Sequence, residues 1–166
     1  MIKYEDERLF SILFKNKKGK QMKKSILSLA TIVAMTVSLS ATDFRAEKPD
    51  AWTAKDVPSA IKALYGEIAP SEGEIKLKAP KVASNGGAIP VSVKTDIPAK
   101  SVAIFQDANP EATVAVFGVP EGTNADFAMK IKMKKSGSIT AIVEGKDGKF
   151  YSKKLTLEVA LGGCEG

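Results

Sequence analysis

From Glu74 onward, apolar side chains recur at every second position, and this period constrains the chain more than any other feature. Ile75, Leu77 and Ala79 alternate with Lys76 and Lys78, and Ile89, Val91 and Val93 alternate with Pro90, Ser92 and Lys94. Val102 and Ile104, then Val114 and Val116, carry shorter forms of the pattern. Phe127, Met129, Ile131 and Met133 alternate with Ala128, Lys130, Lys132 and Lys134; Ile139, Ala141 and Val143 follow, then Leu155, Leu157, Val159 and Leu161. Successive side chains of a strand point to opposite faces, so each run is a strand with one face on a core and one in water. Turn residues separate the runs: Asn85-Gly86-Gly87, Asp107-Ala108-Asn109-Pro110, Pro120-Glu121-Gly122-Thr123-Asn124, Ser136-Gly137 and Lys146-Asp147-Gly148-Lys149. Asp147-Gly148 is the dipeptide of a tight hairpin. Seven short strands over residues 74–161 predict a mainly β fold, an antiparallel β-sandwich of immunoglobulin type without the Cys–Trp–Cys core of antibody domains.

Residues 42–73 read differently. Val57, Ile61, Leu64 and Ile68 fall near helical spacing, Pro58 suits a first helical turn, and Gly66 suits the position just past the helix. Trp52, the only tryptophan, is expected to anchor this segment on the sandwich.

The N-terminal region predicts export. Lys17, Lys18, Lys20, Lys23 and Lys24 precede the uncharged stretch ILSLATIVAMTVSL, residues 26–39, and small polar residues follow it. That length matches a signal-peptide core and falls short of the roughly 20 residues of a membrane span. Residues 22–41 are therefore expected to be a signal peptide of the general secretory route, cleaved after Ser40 or Ala41, with an uncleaved anchor as the alternative. No lipobox cysteine or twin arginine is present. Met22-Lys23-Lys24 would itself open an ordinary signal peptide, so residues 1–21 read as an extension ahead of the true start.

Locating the charge removes one class of function. The net charge is +6, but residues 1–41 hold eight Lys/Arg against three Asp/Glu, whereas residues 42–166 hold 17 against 16. A nearly neutral body lacks the positive field that phosphate backbones require, so nucleic acid is not an expected partner. With no histidine, His-based acid–base catalysis and His-ligated metals are excluded, and one cysteine makes neither an internal disulfide nor a thiolate cluster. No catalytic or nucleotide-binding motif appears, and no carboxylate pair stands out. Met129 and Met133 permit a copper site, but their place in a strand pattern favours core filling. Lys130, Lys132, Lys134 and Lys135 fit either a docking face for an acidic partner or a solvated strand protected from edge pairing.

Cys164 is the one chemically distinct residue. It follows Gly162 and Gly163 and precedes Glu165 and Gly166. Glycine lifts the steric limits on the backbone, so residues 162–166 are expected to form a flexible arm that carries the thiol some 10 Å off the domain at about 3.3–3.6 Å per residue. Exported compartments oxidise thiols, which leaves three readings: a thiol used in chemistry, an interchain disulfide, or a chance cysteine in a tail. A small enzyme with Cys164 as nucleophile is weaker, since no base or oxyanion framework can be named.

Taken together, the signal peptide, the short helix ending at Leu64-Tyr65-Gly66, the seven-strand sandwich, the stretch Asp147-Gly148-Lys149-Phe150-Tyr151 and the terminal Gly162-Gly163-Cys164 resemble SoxY, the sulfur-carrier subunit of bacterial thiosulfate oxidation. The resemblance implies a periplasmic, non-catalytic carrier without a cofactor of its own, free of the membrane once mature. Cys164 would be the covalent attachment site for thiosulfate-derived sulfur. A SoxZ-like companion would form a heterodimer with the chain, meeting apolar surface near the strand edges. A haem-containing conjugating enzyme, a sulfate-releasing hydrolase and a sulfur dehydrogenase would act on the bound intermediate. The family arm commonly reads GGCGG, whereas Glu165 stands here in place of the fourth glycine. A carboxylate there disfavours the thiolate and repels an anionic adduct, both effects weakened by salt. The competing reading is an exported structural sandwich joined to a partner through Cys164.

Overall fold

The structure, a computed structural model, describes residues 42–160. Residues 1–41, with the expected signal peptide, and residues 161–166, with the expected Gly-Gly-Cys arm, lie outside them. Three short helices come first: α1 (Phe44–Glu47), α2 (Pro49–Thr53) and α3 (Val57–Tyr65). The carboxylates of Asp43 and Asp56 accept from the free N–H groups at the starts of α1 and α3, and Pro49 and Pro58 sit in first turns, where a missing N–H costs nothing. The helix predicted from Val57, Ile61 and Leu64 is α3; it stops at Tyr65 because Gly66 turns the chain at a φ of 80°. Ile68 lies beyond its end but still packs against the helical cluster.

The strands are β1 (Ser71–Glu72), β2 (Ile75–Lys78), β3 (Val82–Ala83), β4 (Ile89–Thr95), β5 (Ala99–Gln106), β6 (Thr113–Gly118), β7 (Ala125–Ile131), β8 (Gly137–Gly145) and β9 (Phe150–Val159). They form a three-stranded antiparallel sheet ordered β2-β4-β7 and a larger sheet ordered β1-β9-β8-β5-β6, with β3 also paired to β9. The immunoglobulin-like sandwich is therefore present with nine strands where the period predicts seven. The two additions, β1 and β3, are two-residue parallel pairings at the two ends of β9's outer edge. Between them the chain crosses to the smaller sheet as β2, so one stretch of about a dozen residues serves both sheets.

The larger sheet is covered on both faces. Ile89, Val93, Val102, Ile104, Ile139, Ala141, Val143 and Leu157 fill the space between the sheets, together with Met133 and the partly buried Met129. The methionines thus serve the core. On the opposite face Ala103, Phe105 and Ile142 meet Ala51, Ala60 and Leu64 from the helices. Burial on both faces explains why β5 shows only a brief alternation, since Val102 to Phe105 is continuous apolar sequence. Trp52 packs in this helical cluster, with the Arg45 guanidinium 5.2 Å from its ring centre. At the open side of the sandwich, Phe117 of β6 stacks on Phe127 of β7 at 4.4 Å, tying the two sheets together.

Candidate functional site

The hairpin β8–β9 holds the last described strand before Cys164. Its strands pair from Glu144 opposite Phe150 to Gly137 opposite Leu157. These ends are roughly 23 Å apart at about 3.3 Å per residue.

The turn end is pinned to the helices. Asp147 accepts from the Lys149 N–H at 3.0 Å and from the Tyr151 hydroxyl at 2.8 Å, and these bonds hold its carboxyl below the usual carboxylate range. Gly148 takes a φ of 78°, as the turn requires. Above the hairpin, the Tyr65 ring lies 5.1 Å from that of Phe150. The Tyr65 hydroxyl pairs with Ser101 Oγ at 2.9 Å, and Ser101 Oγ donates to Glu144 Oε2 at 2.8 Å. The stretches Leu64-Tyr65-Gly66 and Asp147 to Tyr151 therefore meet at the turn end of the hairpin, away from the last residues of β9 in the register.

Burial pushes the Tyr65 phenol well above its ordinary value; Glu144 adds to the shift and the Ser101 bond opposes it. A phenol that ionises later folded than unfolded stabilises the fold fully below pH 10, and that contribution fades as pH rises beyond it. Tyr65→Phe is expected to cost about 1 kcal/mol at pH 7 and to lose less stability than the parent between pH 9 and 11. Urea unfolding at both pH values checks this, and equal losses would contradict it. Lys62 and Lys94, raised by Glu67 and Asp126, are the same in both proteins, so their contribution cancels in the comparison.

At the other end of the hairpin the backbone of β9 is held on both sides. The Glu158 N–H donates to the Lys81 carbonyl at 2.9 Å, and the Ala160 N–H donates to the Ala83 carbonyl at 2.9 Å. Between them the Val159 N–H donates to Ser136 Oγ at 2.9 Å. Three successive amides are thus bonded, alternately to β3 with its preceding residue and to the loop before β8. Gly162, Gly163, Cys164, Glu165 and Gly166 lie outside the described residues, so the structure gives the root from which they leave. Four residues span at most about 14 Å, which bounds the distance from Ala160 to the thiol.

Sequence reasoning missed Lys81, Ala83 and Ser136 as anchors. Only Ser136-Gly137 was visible, as a turn. Val82, 58% exposed on β3, is the large apolar side chain left open beside this root.

The fold and root describe a class: an immunoglobulin-type sandwich, helices on one face, whose last strand is clamped before a thiol-bearing tail. Residues 61–164 match the family described as "Sulfur oxidation protein SoxY". The solved "sulfur carrier protein SoxY from Chlorobium limicola f thiosulfatophilum" is 32% identical, with a TM-score of 0.57 over 70% of this chain and 95% of that one. This chain belongs to the SoxY family of sulfur carrier proteins. A superoxide reductase (neelaredoxin) from Ignicoccus hospitalis is a looser likeness, at 16% identity and a TM-score of 0.48 over 54% of this chain and 82% of that one. No curated protein matches the chain.

Proposed function

We propose that this chain is a periplasmic sulfur carrier, exported by a cleaved signal peptide, which holds thiosulfate-derived intermediates on Cys164 and presents them to partner enzymes without itself catalysing a step. The observation that carries this reading is the extent of the SoxY match, which runs through residue 164 and so includes the only thiol in the chain.

Loading joins the Cys164 sulfur to the outer sulfur of thiosulfate. The thiol loses a proton, the new S–S bond gives a cysteine S-thiosulfonate, and two electrons pass to the haem groups of the conjugating enzyme. Water then cleaves the bond between the sulfone sulfur and its neighbour, releasing sulfate and a proton and leaving a persulfide. A sulfur dehydrogenase oxidises the outer sulfur to a sulfonate, three waters supplying its oxygens and six electrons leaving to that enzyme's acceptor, and a second hydrolysis releases sulfate and restores the thiol. This chain supplies the nucleophilic sulfur, the tail and the fixed root. A SoxZ-like subunit completes a heterodimer.

Glu165 tunes the first step. Its carboxylate raises the cost of forming the thiolate and of placing a second anion beside it. Glu165→Gly is expected to load severalfold faster at low salt, with the advantage shrinking as salt screens it. Equal or slower loading would contradict this role.

Reconstitution tests the carrier function. The mature chain, thiosulfate and the haem-containing conjugating enzyme should give a reducible adduct on the peptide that contains Cys164, and the hydrolase should then release sulfate from it. A chain that stays unmodified, or that only forms a Cys164-linked dimer, would favour the structural reading.

A further inference from the structure

Outward positions of the three-stranded sheet carry a charge that the core does not explain. Lys76 and Lys78 of β2, Lys94 of β4, Lys130 of β7 and Lys132 just past it are all exposed, against Asp126 of β7 and, just outside β2 and β4, Glu74 and Asp96. Lys76 and Lys94 stand directly opposite each other, a pairing that costs stability on its own. Among the described residues, Lys94 is the one of the five with an ion-pair partner, Asp126, at 2.7 Å. The helical segment covering the other side, residues 42–73, has six acids and four bases. Charge is thus segregated across a nearly neutral body.

Edge protection accounts for lysines on β2 and β7, which flank the sheet. It does not account for what lies between them. Ala79, Pro80, Pro90, Ser92 and Ala128 line a shallow, largely apolar trough of about 390 Å3, with Lys78 on its wall. Lys130 stands opposite Pro90 in the register. The trough also adjoins the end of β9: Lys81, the residue after Pro80, accepts from the Glu158 N–H through its carbonyl.

We infer that this basic face is the docking surface for an acidic patch on the enzymes that receive the tail, with an apolar side chain of that patch seated in the trough. The inference rests on the carrier function proposed above. Charge complementarity steers the encounter, and the small apolar centre supplies the anchor that gives a complex its lifetime. A protein fits better than a membrane, because this face offers a depression and no protruding large apolar side chain.

The test is the rate at which the haem-containing conjugating enzyme loads thiosulfate onto the full mature chain, followed by mass at several ionic strengths. Lys130→Glu with Lys132→Glu should slow loading at least tenfold at low salt and flatten its salt dependence. Arginine at both positions should restore the rate. Ala128→Lys keeps the positive field but fills the trough, and should slow loading while leaving the salt dependence intact. Lys153→Glu with Lys154→Glu, exposed on β9, should change the rate less than twofold. All variants are compared at matched thermal stability, which exposed positions permit. A parent chain that loads, with the Lys130 and Lys132 variants loading equally well, would overturn the docking surface and leave the carrier function standing. A parent that never loads would overturn both. Lysine-dependent binding to phosphatidylglycerol vesicles with unchanged loading would overturn the docking surface in favour of a membrane face.

Discussion

Cys164→Ser is expected to abolish adduct formation completely while leaving stability within about 0.5 kcal/mol of the parent. Thiosulfate conjugation needs a sulfur that ionises near neutrality and forms a disulfide-type bond on losing electrons. A serine hydroxyl does neither, and the chain holds no second cysteine to substitute. Stability should be indifferent because position 164 lies four residues past Ala160, whose amide is the last described backbone donor in the clamp. Loading assays paired with thermal unfolding check both halves. Residual adduct on the serine variant would show attachment elsewhere, and a large fall in melting temperature would assign the cysteine a structural role instead.

Phe105→Ala is the largest expected effect on folding. Phe105 is fully buried on the helical side of β5, in the cluster with Ala51, Ala60, Leu64 and Ile142. Deleting an aromatic ring there forfeits its transfer free energy and leaves a cavity, about 3–5 kcal/mol in all. At this chain size that corresponds to a drop of roughly 10–20 °C in melting temperature. Phe105 also lies between the sheet and the segment that carries Tyr65, so the Tyr65–Ser101–Glu144 chain should loosen with it. Denaturant unfolding measures the loss. A change below about 1 kcal/mol would mean that the helices do not form a covering layer.

How much the sequence reveals depends on whether an element buries one face or two. Strands β4 and β7 and the second half of β9 are legible because one face meets the core and the other meets water, which imprints a period of two. In β5 the run from Val102 to Phe105 feeds two cores, Ile104 facing one and Phe105 the other, and the imprint is lost. β1 and β3 are two residues each, too short to carry any period. The Tyr65–Ser101–Glu144 chain joins residues 36 and 43 positions apart, which no local pattern encodes.

The candidate site divides in the same way. Cys164 stands out in one dimension, as a lone thiol after two glycines. The root that precedes it in the chain arises from pairing of β9 with Lys81–Ala83 and with Ser136, contacts that exist only after the chain has folded. The basic face is intermediate. The lysines of β7 are visible as a row, but Lys76, Lys78 and Lys94 join them only through the sheet register.

The central claim is that Cys164 carries sulfur in the cell, and intact mass spectrometry of the mature protein, purified from its own cells grown with thiosulfate and compared before and after reduction, tests it most directly. Reducible additions corresponding to sulfur atoms, thiosulfonate or a sulfonate-terminated chain, all mapping to Cys164, are the expected result. A bare thiol, or a Cys164-linked dimer that thiosulfate does not alter, would contradict it.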